Sequence, residues 1–197
     1  MNILCLYNND CALDLFHWLE NEGHKITVNS DLLDAEWCRN KSFDLTVSYT
    51  YRYILTEEVL AALNNNVVNL HNSFLPFNRG ADPNLWSIVE GTPRGVSLHY
   101  MDSELDKGYI IAQRIVNDTD FATETLKTSY YNLDREAKIL FKDAFEYYDY
   151  WPQLKKKVES KGTYHSLKDA EKIKSVIDTY DISIDEFLNR LKKNGIL

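Results

Sequence analysis

Cysteine is scarce in this chain: Cys5, Cys11 and Cys38 are an odd number with no CxxC pair. That excludes a disulfide framework and a zinc knuckle, and fits buried thiols in a reducing compartment. No apolar run approaches the ~20 residues that a membrane span requires. The start, MNILCLYNND, lacks the basic region and long apolar stretch of a signal peptide. The expectation is a cytoplasmic protein with no membrane partner. Positive charge is also short, with 22 Lys+Arg against 30 Asp+Glu, a net charge of -8 and a pI near 5.1. That argues against a nucleic-acid partner, because neutralising phosphates takes a cationic surface. The deficit is uneven: residues 1–150 balance to −11 and residues 151–197 to +3. The modest basic tail, with its KKK at Lys155 to Lys157, reads as a solvated helix face. Internal repeats and low-complexity tracts are absent.

What is present is a globular chain of 197 residues, 44% hydrophobic and 13% aromatic, long enough for one domain with a small appendage. An apolar run at Met1–Tyr7 is followed by CALDLFHWLE, whose apolar residues recur at helical spacing. HKITVN (His24–Asn29), FDLTVSY (Phe43–Tyr49) and NVVNLH (Asn66–His71) read as further strands, with a helix at Leu55–Leu63 whose N-cap is Thr56. Strands alternating with helices over short connections specify an α/β fold, a Rossmann-like and mostly parallel sheet with helices on both faces. Asp82 as N-cap, Pro83 at N1 and Gly91 past the end predict a helix between them. Gly95–Met101 and Gly108–Val116 read as a hairpin on the sheet edge, closed by the loop Asp102 to Lys107. A long helix is expected from about Thr123 to Tyr150. A short helical C-terminal appendage, residues 151–197, should then hold a polar linker and a helix over Ser183–Lys193.

Several familiar chemistries lack their residues. The first turn, Tyr7-Asn8-Asn9-Asp10, has no glycine, so the dinucleotide fingerprint is missing. Asn8 and Asn9 nevertheless stand at a helix N-terminus, where they either receive a phosphate or cap the helix. Ser73 lacks the G-x-S-x-G elbow of a nucleophilic serine. His71, His99, Asp102 and Asp106 are suitable metal-ligand types without a recognisable metal spacing, so no metal is expected. Reactive groups of open parallel sheets gather at the carboxyl ends of strands. There Asn69 and His71, two apart on one strand, point to one side, and Asp106 lies in the later loop. An amide donor, an imidazole and a carboxylate to orient it suit acyl transfer to an amine. The aromatic-rich FKDAFEYYDYW (Phe141–Trp151) serves either core packing or a homodimer face.

The order of these motifs is informative. Asn69-x-His71-x-Ser73-x-Leu75-Pro76-x-x-Arg79-Gly80, then Gly95-Val96-Ser97-Leu98-His99, then Leu105-Asp106-Lys107-Gly108 resembles the signature of the folate-dependent formyltransferases. That family includes methionyl-tRNA formyltransferase, glycinamide ribonucleotide transformylase and the N-formyltransferases of nucleotide-linked amino sugars. The resemblance implies a catalytic domain over residues 1–150 and transfer of a formyl group from N10-formyltetrahydrofolate to a primary amine. Asn69, His71 and Asp106 match the family's catalytic residues. YTYRYILT falls where the family places its folate loop, which implies contacts from Tyr51, Tyr53 and Leu55. Asp102 and Glu104 fall on the opposite wall of the folate pocket. On the acceptor side the same resemblance implies Asn8, Asn9 and Arg79, with Tyr164 and His165 from KGTYHSLKD. FNRGADPNLW and this tail stretch are most similar to the sugar N-formyltransferases, which implies a UDP- or dTDP-linked amino-dideoxy sugar, of the 4-amino-4,6-dideoxy kind used in surface polysaccharides. The alternatives are the purine transformylase and a non-catalytic nucleotide-sugar-binding domain.

Overall fold

The computed structural model describes residues 1–116, 120–157 and 160–197. In chain order the strands and helices are β1 (Asn2–Leu6), α1 (Leu13–Asn21), β2 (Lys25–Asn29), α2 (Ala35–Arg39), β3 (Leu45–Tyr49), α3 (Glu57–Ala62), β4 (Val67–His71) and β5 (Arg79–Gly80). There follow α4 (Pro83–Glu90), β6 (Gly95–Tyr100), β7 (Ile110–Ile115), α5 (Leu126–Phe145), α6 (Trp151–Leu154), β8 (Tyr164–His165), α7 (Leu167–Lys174) and α8 (Ile184–Lys193). Six strands form one sheet in the order β2-β1-β3-β4-β6-β7, and β5 pairs with β8 in a sheet of their own. The β1–β2, β1–β3 and β3–β4 pairs are parallel, as the strand-helix alternation requires. The expected hairpin closes the edge: Tyr100 N–H bonds Tyr109 O at 2.8 Å and Val116 N–H bonds Arg94 O at 2.9 Å.

The chain divides into two compact units, and both draw on residues before and after position 150. The first comprises residues 1–71, residues 98–112 and a segment beginning at Phe141. Its β1 and β3 are buried along nearly their whole length, with Thr46 and Ser48 as the polar residues of β3, the pattern of parallel strands covered on both faces. Leu4 and Leu6 pack with Cys38 of α2 and Val59 and Leu60 of α3, while Ile3 and Cys5, which point the other way, are also fully buried. Thr56 accepts the Val59 N–H as expected for the α3 N-cap. The second unit comprises residues 72–97, residues 113–140 and the C-terminal segment. Its core joins Leu85 and Ile88 of α4, Leu126 of α5, Ile173 of α7, and Ile184, Phe187 and Leu191 of α8.

Three elements depart from expectation. The long helix stops at Phe145, where the chain turns back so that Trp151 Nε1 donates to Ala144 O at 2.9 Å. Trp18, Phe141, Phe145, Tyr148 and Trp151 then form an edge-to-face aromatic cluster in which Phe141 and Trp151 are fully buried, which is core packing. The stretch expected to be a polar linker contains α7, started by a capping box between Ser166 and Asp169 and held by buried Ala170 and Ile173. Val158 and Glu159 of that stretch lie outside the described residues. Asp82 does stand at the N-cap of α4, but its backbone is left-handed and its side chain makes no capping bond. Its carboxylate pairs with Lys174 Nζ at 2.6 Å instead.

Candidate active site

Within the first unit, β4 carries Asn69 and His71 on one face, and β6 brings His99 opposite Asn69. Asn69 Nδ2 lies 3.2 Å from His99 Nε2. His99 Nδ1 lies 2.9 Å from Tyr100 O, and because a carbonyl only accepts, Nδ1 carries the hydrogen. Complete burial pushes the His99 pKa below 6.5, with Asp106 opposing that shift. A neutral His99 with its hydrogen on Nδ1 has a bare lone pair on Nε2, and this accepts from Asn69. The amide of Asn69 is thereby fixed, with its second N–H left for a ligand.

Asp106 completes the group. Its Oδ2 is 3.7 Å from His71 Nε2 and its Oδ1 is 3.6 Å from His99 Nε2, with both carboxylate and imidazoles less than a tenth exposed. These separations are ion-pair distances, longer than hydrogen bonds, as is common before a substrate closes a site. The carboxylate arrives there through a tight loop. Asp106 has φ 53°, a left-handed conformation that Asp tolerates better than most residues. Two residues on, a Cβ on Gly108 would sit 1.7 Å from Tyr100 O, so only glycine lets the loop close against β6. Among the described residues, no group of three or more His, Cys, Asp or Glu is arranged to hold a metal ion.

The two segments expected to hold folate are neighbours. Leu55 is buried in the core beneath α3, and Tyr51 and Met101 both pack against that same cluster. Tyr51 donates its hydroxyl to Asp31 O at 2.6 Å, and burial pushes its pKa up to about 12. Tyr53 lies edge-on to Tyr51 and beneath the Arg52 guanidinium. A cavity of about 800 Å³ is lined by Glu57, Leu60, Met101, Asp102 and Ser103 and extends to Tyr100, Tyr109, Tyr148 and Lys155. Glu104 is exposed and pairs with Lys107.

The residues expected to hold the acceptor are mostly engaged within the fold. Asn8 accepts the Arg52 N–H at 2.9 Å and donates to Ser30 O at 2.8 Å, so its amide ties two loops together instead of facing outward. Asn9 accepts the Cys11 N–H, the capping role. In the second unit Arg79 donates to Thr163 O and Lys161 O. His165 stacks on Trp86 with centroids 3.7 Å apart, and its Nε2 approaches Glu90 Oε1 at 3.1 Å without hydrogen-bond alignment. Tyr164 alone of this pair is well exposed, at 54%. Ser73 is buried and among the described residues its hydroxyl has no hydrogen-bond partner, so none of them activates it as a base. The residue missed from sequence is His99 as the partner of Asn69. No local signal gives it, because the pairing depends on which strand lies beside β4.

An amide, two imidazoles and a carboxylate gathered on an α/β sheet are groups of the kind that acyl transfer uses. The model of the formyl transferase family matches residues 25–144, more than half of the chain, and the chain belongs to that family. It is 32% identical to methionyl-tRNA formyltransferase of Thermotoga sp. (strain RQ2) over 74% of this chain and 50% of that one. It is 30% identical to dTDP-4-amino-4,6-dideoxyglucose formyltransferase of Mycobacterium bovis over 76% of this chain and 62% of that one. The chain thus spans between half and under two thirds of the length of these curated relatives. A crystal structure of the formyltransferase PseJ from Anoxybacillus kamchatkensis, in complex with UDP-4,6-dideoxy-4-formamido-L-AltNAc and tetrahydrofolate, is 35% identical with a TM-score of 0.82. That match covers 96% of this chain and 99% of the other.

Proposed function

We propose that this chain transfers a formyl group from N10-formyltetrahydrofolate to the primary amine of a nucleotide-linked amino sugar, of the 4-amino-4,6-dideoxy type. The observation that carries the reading is the group of Asn69, His71, His99 and Asp106 at one strand end. The folate, when bound, supplies an activated formyl carbon and accepts a proton at N10 as the carbon–nitrogen bond breaks. The residues present fit it: Tyr51, Leu55 and Met101, which pack in one cluster, would offer apolar contact to a flat ring. The free N–H of Asn69 and protonated His71 stabilise the oxygen that becomes negative as the amine attacks. Asp106 holds His71 in place, balances its charge, and takes the proton the amine loses, directly or through one water. Match to the PseJ structure over nearly its whole length supports an amino-sugar acceptor of UDP-linked kind. The acidic body supports a small acceptor over tRNA. This reading implies a cytoplasmic enzyme of surface polysaccharide assembly, with a homodimer as the family's habit.

The test is a mass-spectrometric screen. The protein is incubated with N10-formyltetrahydrofolate and a panel of UDP- and dTDP-linked 3-amino and 4-amino sugars, beside glycinamide ribonucleotide. A mass gain of one formyl group on a 4-amino sugar is expected. Formylation of glycinamide ribonucleotide alone would replace this reading with the purine one, and no product with any acceptor would refute transfer.

A further inference from the structure

The loop that carries Asp106 is braced by a segment from far along the chain. It leaves β6 after Tyr100 and returns at Tyr109, where Tyr100 N–H donates to Tyr109 O at 2.8 Å and closes the stem. The next residue, Ile110, opens β7, which is the edge strand of the six-stranded sheet. On that edge Ile110 N–H donates to Lys156 O at 2.9 Å, and Lys156 N–H donates to Ile110 O at 2.8 Å. This reciprocal pair straps residues 155 and 156 to the stem. The strap is tethered in turn by Trp151, which is fully buried, and by Lys155 N–H, which donates to Trp151 O at 3.1 Å. Lys155 reaches back over the stem itself, with Nζ 5.6 Å from the Tyr100 ring centroid and 5.0 Å from that of Tyr109. One ammonium thus attracts a ring from each side of the stem.

We propose that Lys155 and Lys156 are positioning residues for Asp106, clamping the stem of its loop so that the carboxylate stays opposite His71. The inference rests on the formyl-transfer reading above and goes beyond it, by giving the C-terminal strap a part in turnover. The bonds inside the loop are short-range: Lys107 N–H donates to Glu104 O, and Glu104 N–H to Asp102 Oδ1. They fix the loop's shape, whereas its place on the sheet is set at the stem. That place matters because Asp106 stands 3.7 Å from His71 Nε2, and a shift of about 1 Å in a reacting group can cost up to 100-fold in rate. The strap holds the stem in two ways, by a backbone pair along the edge and by a cation over both rings. Loosening either lets Tyr100 and Tyr109 part and carries the carboxylate away from His71, so the loss falls on the chemical step.

Two variants test the two halves of the clamp. Lys155 is exposed, so Lys155→Gln removes the cation from a protein that still folds. Lys156→Pro removes the N–H given to Ile110 O, and Lys155 already holds φ -58° and ψ 134°, a conformation that a following proline accepts. With the amino sugar and N10-formyltetrahydrofolate, kcat should fall about fivefold in Lys155→Gln and about tenfold in Lys156→Pro, the loss of a cation–π contact and of a hydrogen bond. KM for the amino sugar should stay within about twofold. Lys155→Arg keeps a cation over the rings and should keep the natural kcat. Amide hydrogen exchange followed by NMR gives a readout that needs no activity. Tyr100 N–H bonds to Tyr109 O and not to the strap, and it should exchange faster in the first two variants by about the same factors. Unchanged Tyr100 exchange in both would show that the strap does not hold the stem. Faster exchange with the natural kcat would show that the stem does not govern Asp106. Either result overturns the proposal while leaving formyl transfer standing. Absence of product from the natural protein would instead overturn the transfer reading, and with it any part of the strap in turnover.

Discussion

His99→Phe tests the site at its least obvious member. The substitution keeps an aromatic ring of similar bulk but removes both nitrogens. Asn69 Nδ2 loses an acceptor at 3.2 Å and Tyr100 O loses a donor at 2.9 Å. A buried group left unsatisfied costs about 1–3 kcal/mol, so the variant should unfold about 2–4 kcal/mol more easily while still folding. The larger effect is on turnover. Loss of an oxyanion donor costs about 100- to 1000-fold in kcat. An Asn69 amide that has lost its anchor but not its N–H groups belongs at the lower end, about 100-fold, or ~2.7 kcal/mol of barrier. Steady-state kinetics should place the loss in kcat, with KM for both substrates within a few-fold. His99→Gln, whose amide oxygen can accept from Asn69, should recover much of it. A folded His99→Phe protein that turns over within about threefold of the natural one would refute the argument. The pH dependence gives an independent check. Burial lowers the His99 pKa from 6.5, so below that pH the unfolded chain binds a proton that the folded chain refuses. Stability therefore falls as pH drops through 6.5 toward the folded pKa and is steady above it. His99→Phe should remove this share of the slope in denaturant titrations run from pH 7.5 to 5.

Two further expectations concern the frame around the site. Gly108→Ala would place a methyl 1.7 Å from Tyr100 O, so the loop carrying Asp106 must move. Turnover should fall by about 100-fold with misplacement of the carboxylate, and activity near the natural level would refute the packing argument. In the second unit the guanidinium of Arg94 is buried against Glu124 at 3.4 Å and Ser129 at 2.5 Å. Removing one partner of a buried pair costs about 3–5 kcal/mol, so Glu124→Leu should lower the unfolding free energy from urea titration by that much. An unfolding free energy within about 1 kcal/mol of the natural one would mean that Ser129 and solvent suffice for Arg94.

The sheet was legible because its signals are local. β-branched runs such as LTVSY in β3 and the Thr56 cap of α3 carry their own instructions in a handful of residues. Asn69 and His71 were legible for the same reason, since two residues apart on a strand share a face. The pairing of Asn69 with His99 was not, because it depends on which strand lies beside β4, thirty positions away. Asn8 shows the same dependence on partners. Its place in the first turn suggested a ligand contact, yet both ends of its amide meet backbone groups brought in by other loops, Arg52 and Ser30. The aromatic end of α5 hid a chain reversal, because Phe145, Tyr148 and Trp151 keep a helix-like spacing although Trp151 folds back onto Ala144. In each case residue type was readable and partner was not.

The two histidines of the site show why partner matters more than type. Both face one carboxylate at nearly the same distance, 3.7 Å from His71 and 3.6 Å from His99, and by type either could be the one that moves protons. Environment separates them. His99 is 1% exposed and gives its Nδ1 hydrogen to a carbonyl, so its Nε2 meets Asp106 with a lone pair and the two acceptors cannot bond. Bringing a proton to that nitrogen would require charging a fully buried ring and would cost Asn69 its acceptor. Asp106 is therefore left to pair with His71. The buried imidazole holds the amide and keeps the carboxylate from bonding to it, which directs the charge of the site onto the one histidine able to share a proton with a substrate.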